Sequence, residues 1–187
     1  VKVKELPELD DSFAQDTTEF ESLEELKNDI RTKKQEEADQ NAKSEMRNKV
    51  VEKVAEGVEI DIPNSMVEAQ LDRQLQDINM QLSYQGWSLE KFAELSGQSI
   101  EDIREARRDE AKAMVKHALI VEKIVELEKV EATDEDIEKD LENFAKMYQI
   151  EIDKIKSSIG DAEKENIADR IRTEKAVDLL LEKANLI

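Results

Sequence analysis

This 187-residue chain has no cysteine, one histidine, two prolines, four glycines and seven aromatic residues. Without cysteine there are no disulfides, no thiolate nucleophile and no Cys-ligated zinc or iron–sulfur centre. The single imidazole, His117, leaves no histidine cluster for a metal, and no Ser–His or Cys–His pair can be assembled around it. Scarce glycine and proline disfavour sheet architectures with tight turns and phosphate-cradling loops, and no Walker loop is present. Basic residues are outnumbered, 28 against 47 acidic, for a net charge of −19. That balance argues against nucleic acid and anionic membrane as partners, both of which need a Lys/Arg surface. The longest apolar run, Ala118-Leu119-Ile120-Val121, is far short of the ~20 residues of a membrane span. Val1-Lys2-Val3-Lys4 does not read as a signal peptide.

What is present is charge, 40% of residues, with a mean hydropathy of −0.70. Leu, Ile, Val and Phe still supply 48 residues, above the roughly 20% below which chains fail to fold. The chain therefore folds, around a thin core. Residues 1–21 read as an extended lead-in: Val1 and Val3 alternate, Pro7 disfavours a helix at Leu6, and Phe13 and Phe20 serve as anchors. Ser22 to Glu25 forms a capping box, and nothing breaks a helix from there to Gly57. Such a helix is roughly 50 Å long, against a diameter of roughly 40 Å for a compact globule of this length. Apolar residues at its ends (Leu23, Leu26 and Ile30; Met46, Val50, Val51 and Val54) and a bare middle from Arg31 to Glu45 make residues 22–57 a bridging helix.

Val58, Ile60 and Ile62 form an extended link to Pro63. A second capping box, Ser65 to Glu68, opens a helix striped by Val67, Leu71, Leu75, Ile78 and Leu82. A short helix from Leu89 to Leu95 lies between Gly86 and Gly97. Ser99 then caps a helix running to Glu128, polar first and apolar almost all round from Met114 to Leu127, hence buried there. Residues 64–128 read as a helical-hairpin arm whose end near 84–97 projects into water. Residues 133–187 read as a second arm and return helix, with Thr133 capping a helix to Tyr148, a short helix from Ile152, and a last one after Gly160. No period of 20–50 residues is evident, so no solenoid is expected. The fold class is all-α: an elongated multi-helix body with two protruding arms and a short extended N-terminal segment.

No catalytic site emerges. Acid pairs arise by chance among 47 carboxylates, the Asp134–Glu138 cluster lacks the glycine and spacing of a calcium loop, and His117 reads as a packing residue. The chain is not expected to be an enzyme and needs no cofactor or metal. Apolar bulk does collect at two turns: Met80, Tyr84, Trp87, Leu89 and Phe92 near the first, and Phe144, Met147, Tyr148, Ile150 and Ile152 near the second. Each set reads either as a local core closing its turn or as an exposed patch that binds other chains.

Glu5-Leu6-Pro7-Glu8-Leu9-Asp10-Asp11-Ser12-Phe13 resembles the segment that follows the prolyl-isomerase domain in bacterial trigger factor. The resemblance continues through Leu23-Glu24-Glu25-Leu26-Lys27, Arg47-Asn48-Lys49-Val50 and Ile60-Asp61-Ile62-Pro63, covering essentially the whole chain. It implies the C-terminal chaperone domain alone, with a SurA-like architecture, 1–187 as a single domain, a cytoplasmic location and a tail trimmed after Ala184-Asn185-Leu186-Ile187. It also implies an ATP-independent chaperone of unfolded or nascent polypeptides, with the two apolar sets as client-binding residues. The ribosome is engaged only through the family's N-terminal domain, and the family's isomerase lies in a domain not matched here. A homodimer is left open. The competing reading is a non-catalytic helical spacer or dimerisation module, which needs sustained heptads that the stretch from Arg31 to Glu45 interrupts.

Overall fold

The computed structural model describes residues 8–184, and those residues form helices without a strand among them. In chain order these are α1 (Asp11–Thr17), α2 (Leu23–Glu56), α3 (Asn64–Tyr84), α4 (Leu89–Ser96), α5 (Ile100–Glu105), α6 (Arg108–Glu128), α7 (Asp134–Tyr148), α8 (Ile152–Ser158) and α9 (Asp161–Lys183). The fold is all-α, as the sequence indicates. Local chemistry sets most boundaries. Ser99 and Asp102, and likewise Thr133 and Asp136, cap α5 and α7 reciprocally, each hydroxyl accepting from the N3 amide and each carboxylate accepting from the N-cap amide. The Ser88 hydroxyl accepts from the Lys91 amide to start α4.

Five expectations need correction. The lead-in is not extended throughout: Asp10 accepts the Phe13 amide at 2.9 Å and nucleates α1, a cap hidden within an acidic run. Val1, Val3, Leu6 and Pro7, and the tail beyond Ala184, lie outside the described residues. The Ser22 box closes one residue early, because Glu25 accepts from the amide of Glu21. The Ser65–Glu68 box does not form; Pro63 occupies the N-cap position and Glu68 turns to Arg104 and Arg108 instead. The helix expected from Ser99 to Glu128 breaks at Ala106-Arg107, where the Arg107 amide bonds the Arg104 carbonyl in a tighter turn. Finally, α6 is not buried all round. Val115, Ile120 and Val121 are buried while Met114 and Leu127 are exposed, because α3 and α9 pack on it from only part of its circumference.

The chain divides into two compact units, one up to Asn48 and one from Lys49 on. In the first, Ala14 is buried, Phe13 and Phe20 are half-buried, and Asp11 accepts the Leu23 amide at 2.9 Å, tying α1 to the start of α2. Residues 31–46 of α2 are exposed throughout, matching their lack of large apolar side chains before Met46. The second unit has four small cores in place of one large one. Val51, Val121 and Ala176 form one; Val67, Leu71 and Ala111 a second. The third is Leu89, Ala93 and Ile103, and the fourth Leu141, Ala145 and Ile155.

Candidate functional site

At the first turn, Gly86 takes φ +76°, which lets the Trp87 amide reach back to the Leu82 carbonyl at 3.0 Å. The Asn79 side-chain oxygen accepts the Leu89 amide at 3.0 Å and so fixes the start of α4 on α3. Leu89 therefore turns inward, 6% exposed, against Leu75, Ile78 and Leu82. Burial removes it from the candidate surface. Met80, Tyr84, Trp87 and Phe92 all remain exposed, Tyr84 at 85%. They are joined by Leu95, which sequence reading missed although it stands three residues after Phe92 on the same helical face.

At the second turn, α7, α8 and α9 enclose a groove of about 660 Å³ lined by Leu141, Phe144, Ile150, Ile155, Ile159 and Ile167. Arg170, also lining it, pairs with Asp140 at 2.5 Å and Glu174 at 3.0 Å. The rings of Phe144 and Tyr148 stack with centroids 4.5 Å apart and planes tilted by 39°. Met147 stands out at 75% exposure, and Tyr148 and Ile150 are also exposed. Ile152 is half-buried against Leu141, Ala145 and Ile155 and serves mostly as core. Sequence reading missed Ile155, Ile159 and Ile167, whose convergence depends on α9 folding back onto α7.

The structure also brings out an internal likeness. Leu89-Glu90-Lys91-Phe92-Ala93 recurs 52 residues later as Leu141-Glu142-Asn143-Phe144-Ala145, and Ile100 and Ile103 recur as Ile152 and Ile155 with no gap. The offset lies just beyond the periods considered in the sequence, and Gln149 standing where the first copy has Gly97 disguises the shared turn.

Elsewhere polar groups serve structure. Glu68 accepts from Arg104 at 2.7 Å and from Arg108 at 2.6 Å, and those bonds hold its carboxyl at about 2. One carboxylate thus clamps both sides of the α5–α6 break. Lys175 and Thr133 hold Asp136 well below the usual carboxylate range, and a hydrogen bond from Lys156 lowers Glu138. These displaced acids are all held ionised, the opposite of what a general acid requires. His117 is half-buried and lines a groove of about 460 Å³ with Val121, Val125 and Arg172. Among the described residues no three His, Asp or Glu side chains are grouped to hold a metal, and no helix is long and apolar enough to cross a membrane.

An all-helical chain with small cores, structural ion pairs and exposed apolar patches around its turns has the form of a binding module. The model of the bacterial trigger factor C-terminus matches residues 22–182, and the chain belongs to that family. It is 48% identical to the trigger factor of Clostridioides difficile over 186 residues, and 43% identical to that of Caldicellulosiruptor saccharolyticus over 187. The whole chain is covered in both alignments, but only 44% and 43% of those relatives, so the chain spans less than half their length. A solved structure of the trigger factor chaperone, concerned with promiscuous substrate recognition in its folding and assembly activities, is similar over 96% of this chain and 44% of that one. Its TM-score is 0.58 and its identity 28%. A structure of trigger factor domains from Thermotoga maritima is similar over 76% of this chain and 83% of that one, with TM-score 0.58 and 25% identity. The region matched is the family's C-terminus.

Proposed function

We propose that the chain is an ATP-independent, cytoplasmic chaperone domain that holds unfolded or nascent polypeptide on dispersed apolar patches. The observation that carries this reading is that all five methionines (Met46, Met66, Met80, Met114 and Met147) and five of the seven aromatic residues are exposed. Methionine is ordinarily a core residue, and its flexible thioether packs against many partner shapes. A half-buried ring contributes about 2–3 kcal/mol, so each patch binds weakly. A client spanning several gains avidity without new contacts, while each segment still releases quickly. The net charge of −19 keeps such a surface soluble and favours basic clients. In this reading the ribosome is engaged by the family's N-terminal domain and not by these residues. A spacer would bury its apolar stripes in one seam, contrary to this exposure.

Light scattering of an aggregating unfolded protein, with and without the chain, tests the reading. Suppression at near-stoichiometric amounts is expected. Unchanged aggregation at tenfold excess of the chain overturns it.

A further inference from the structure

The seam between α3 and α6 carries a polar feature that its packing does not call for. Gln70 and Gln74 stand one turn apart on the same face of α3. Both donate a side-chain amide to the sulfur of Met114 on α6, with nitrogen–sulfur distances of 3.6 and 3.1 Å. Among the described residues, Met114 is the methionine whose sulfur accepts hydrogen bonds. The cluster lies at the rim of the core of Val67, Leu71 and Ala111, each three residues before one of its members. Both amides are held in the donating orientation. Arg73 bonds the Gln70 amide oxygen at 2.6 and 3.1 Å, which leaves the Gln70 NH2 for the sulfur. The Gln74 amide oxygen is buried without a donor. Turning that amide over sets its oxygen against the sulfur, acceptor to acceptor, so it stays as it is. A thioether is a weak acceptor, and a polar group taken from water is costly unless well partnered. Two amides are thus committed to a partner too weak for them.

We propose that Met114 is an oxidative modification site, at which a peroxide converts the thioether to a sulfoxide whose oxygen takes the Gln70 and Gln74 amides as donors and fastens α6 to α3. The sulfur lone pair attacks one peroxide oxygen. The O–O bond breaks as the S–O bond forms, and the departing hydroxide takes the proton of the transferred oxygen and leaves as water. Sulfur gives up two electrons and the peroxide gains them. Met114 is 47% exposed, so a solute as small as hydrogen peroxide reaches the side chain. Oxidation ordinarily loosens a protein, because it puts a polar group where an apolar one packed. Here the sulfur stands at a rim with two donors already facing it, and the sulfoxide oxygen is a far stronger acceptor than the sulfur it sits on. The unbranched side chain is flexible enough to place that oxygen between the two amides. The modification is reversible, since methionine sulfoxide reductases restore the thioether.

The test uses M46L/M66L/M80L/M147L, in which Met114 is the remaining methionine; all four replaced side chains are exposed, and leucine keeps their bulk. Hydrogen peroxide should add one oxygen per chain by mass spectrometry. Hydrogen exchange of the amides at 67–74 and 111–118 should then slow by about threefold. Adding M114L should abolish both the mass gain and the change in exchange. Adding Q70E/Q74E instead keeps the side-chain shape but leaves only acceptors facing the sulfur. In that variant oxidation should speed exchange of the same amides by about threefold. Q70A/Q74A removes the donors without adding charge and should show no slowing, which keeps the test decisive if the glutamates perturb the fold. A mixture of the two methionine sulfoxide reductases, one for each epimer, should return exchange to its starting rate. It should act at least about threefold more slowly on the four-leucine chain than on its Q70E/Q74E form, because the held oxygen must first be released. Faster or unchanged exchange on oxidation of the four-leucine chain overturns the proposal, as does slowing that persists without the glutamine donors.

Discussion

Two segments of the second unit, 89–105 and 141–157, bury the same triad of Leu, Ala and Ile and turn through the same left-handed position. Their settings differ. The first lies against α3, whose Leu75, Ile78 and Leu82 supply half-buried bulk over its triad, and an Asn79 hydrogen bond fixes its start. The second lies against α9, with Ile167 and Ile159 beside the triad, and the space between them stays open as the 660 Å³ groove. The same local pattern thus yields a filled core where an apolar stripe covers it and an open groove where a mostly polar helix does. Exposure of Phe92 and Leu95, and of Phe144 and Met147, follows from the helix period, whereas groove or core follows from the partner.

Core truncation should separate the two most strongly. Leu89 and Leu141 are equally buried, 6% and 5% exposed. Leu→Ala in a core costs about 2–5 kcal/mol, rising with the cavity left behind. Around Leu89 the cavity is enclosed, so Leu89→Ala should cost about 3 kcal/mol. Beside the open groove the walls relax and water enters, so Leu141→Ala should cost about 2 kcal/mol. Hydrogen exchange of α4 and α7 amides reads each loss locally. A larger loss at Leu141 would show that the groove is a rigid wall.

Much of this was legible in the sequence, for reasons particular to each element. The stripe from Val67 to Leu82, the caps at Ser99 and Thr133, and the stops at Gly57 and Gly97 are local signals, and each helix boundary they mark appears within a residue or two. The sequence places Tyr84, Trp87 and Phe92 near a glycine turn but leaves local core and exposed patch open; their exposure is seen only in the fold. Inward rotation of Leu89 was not legible either, since it depends on Asn79 ten residues earlier. The α5–α6 break contains neither Gly nor Pro and is clamped by Glu68, 36 and 40 residues away from its two arginines. Ile167 joins the groove only through the packing of α9 on α7.

Surface substitutions should sharpen the comparison next. Replacing Tyr84, Trp87 and Phe92 together with Ser should lower suppression of aggregation several-fold and leave the melting temperature nearly unchanged, because all three rings are exposed. Replacing Phe144 and Tyr148 with Ser should lower suppression and also cost about 0.5–1.5 kcal/mol from the lost ring pair. Loss of several degrees in the triple variant would instead make those rings a local core and shift the client surface to α7 and α8. Acid should then act on the joint that carries the first segment. The Glu68 carboxyl is lowered by Arg104 and Arg108 from the usual 4.5 to about 2, so its stabilisation is complete above 4.5 and fades as pH falls toward 2. Amides flanking Ala106 should exchange progressively faster over that interval, and Glu68→Gln should flatten the change there while leaving the acid response of α7, which rests on Asp136 and Glu138, as it was. An unaltered profile at Ala106 in the variant would show that Glu68 does not govern the joint.

The smallest expected effect concerns the turn itself. Gly97 and Gln149 occupy the same left-handed position, with φ of 69° and 55°. A side chain there costs about 1–2 kcal/mol in backbone strain, while glycine loses up to about 1 kcal/mol more conformational entropy on folding. The difference predicts that Gln149→Gly stabilises the second segment by about 0.5 kcal/mol. A Cβ built at Gly97 meets nothing within 4 Å, so Gly97→Gln adds no steric clash to that difference and should destabilise the first segment by a similar amount. Exchange protection of the Ile150 and Gln98 amides, which bond the equivalent alanine carbonyls, measures both. Equal and opposite shifts mean that the two turns differ only in backbone strain. If Gln149→Gly instead weakens protection at Ile150, the Gln149 side chain stabilises the turn through its place in the smaller groove it lines with Ile150 and Ile152, and the second segment has exchanged a relaxed turn for a wall of its binding surface.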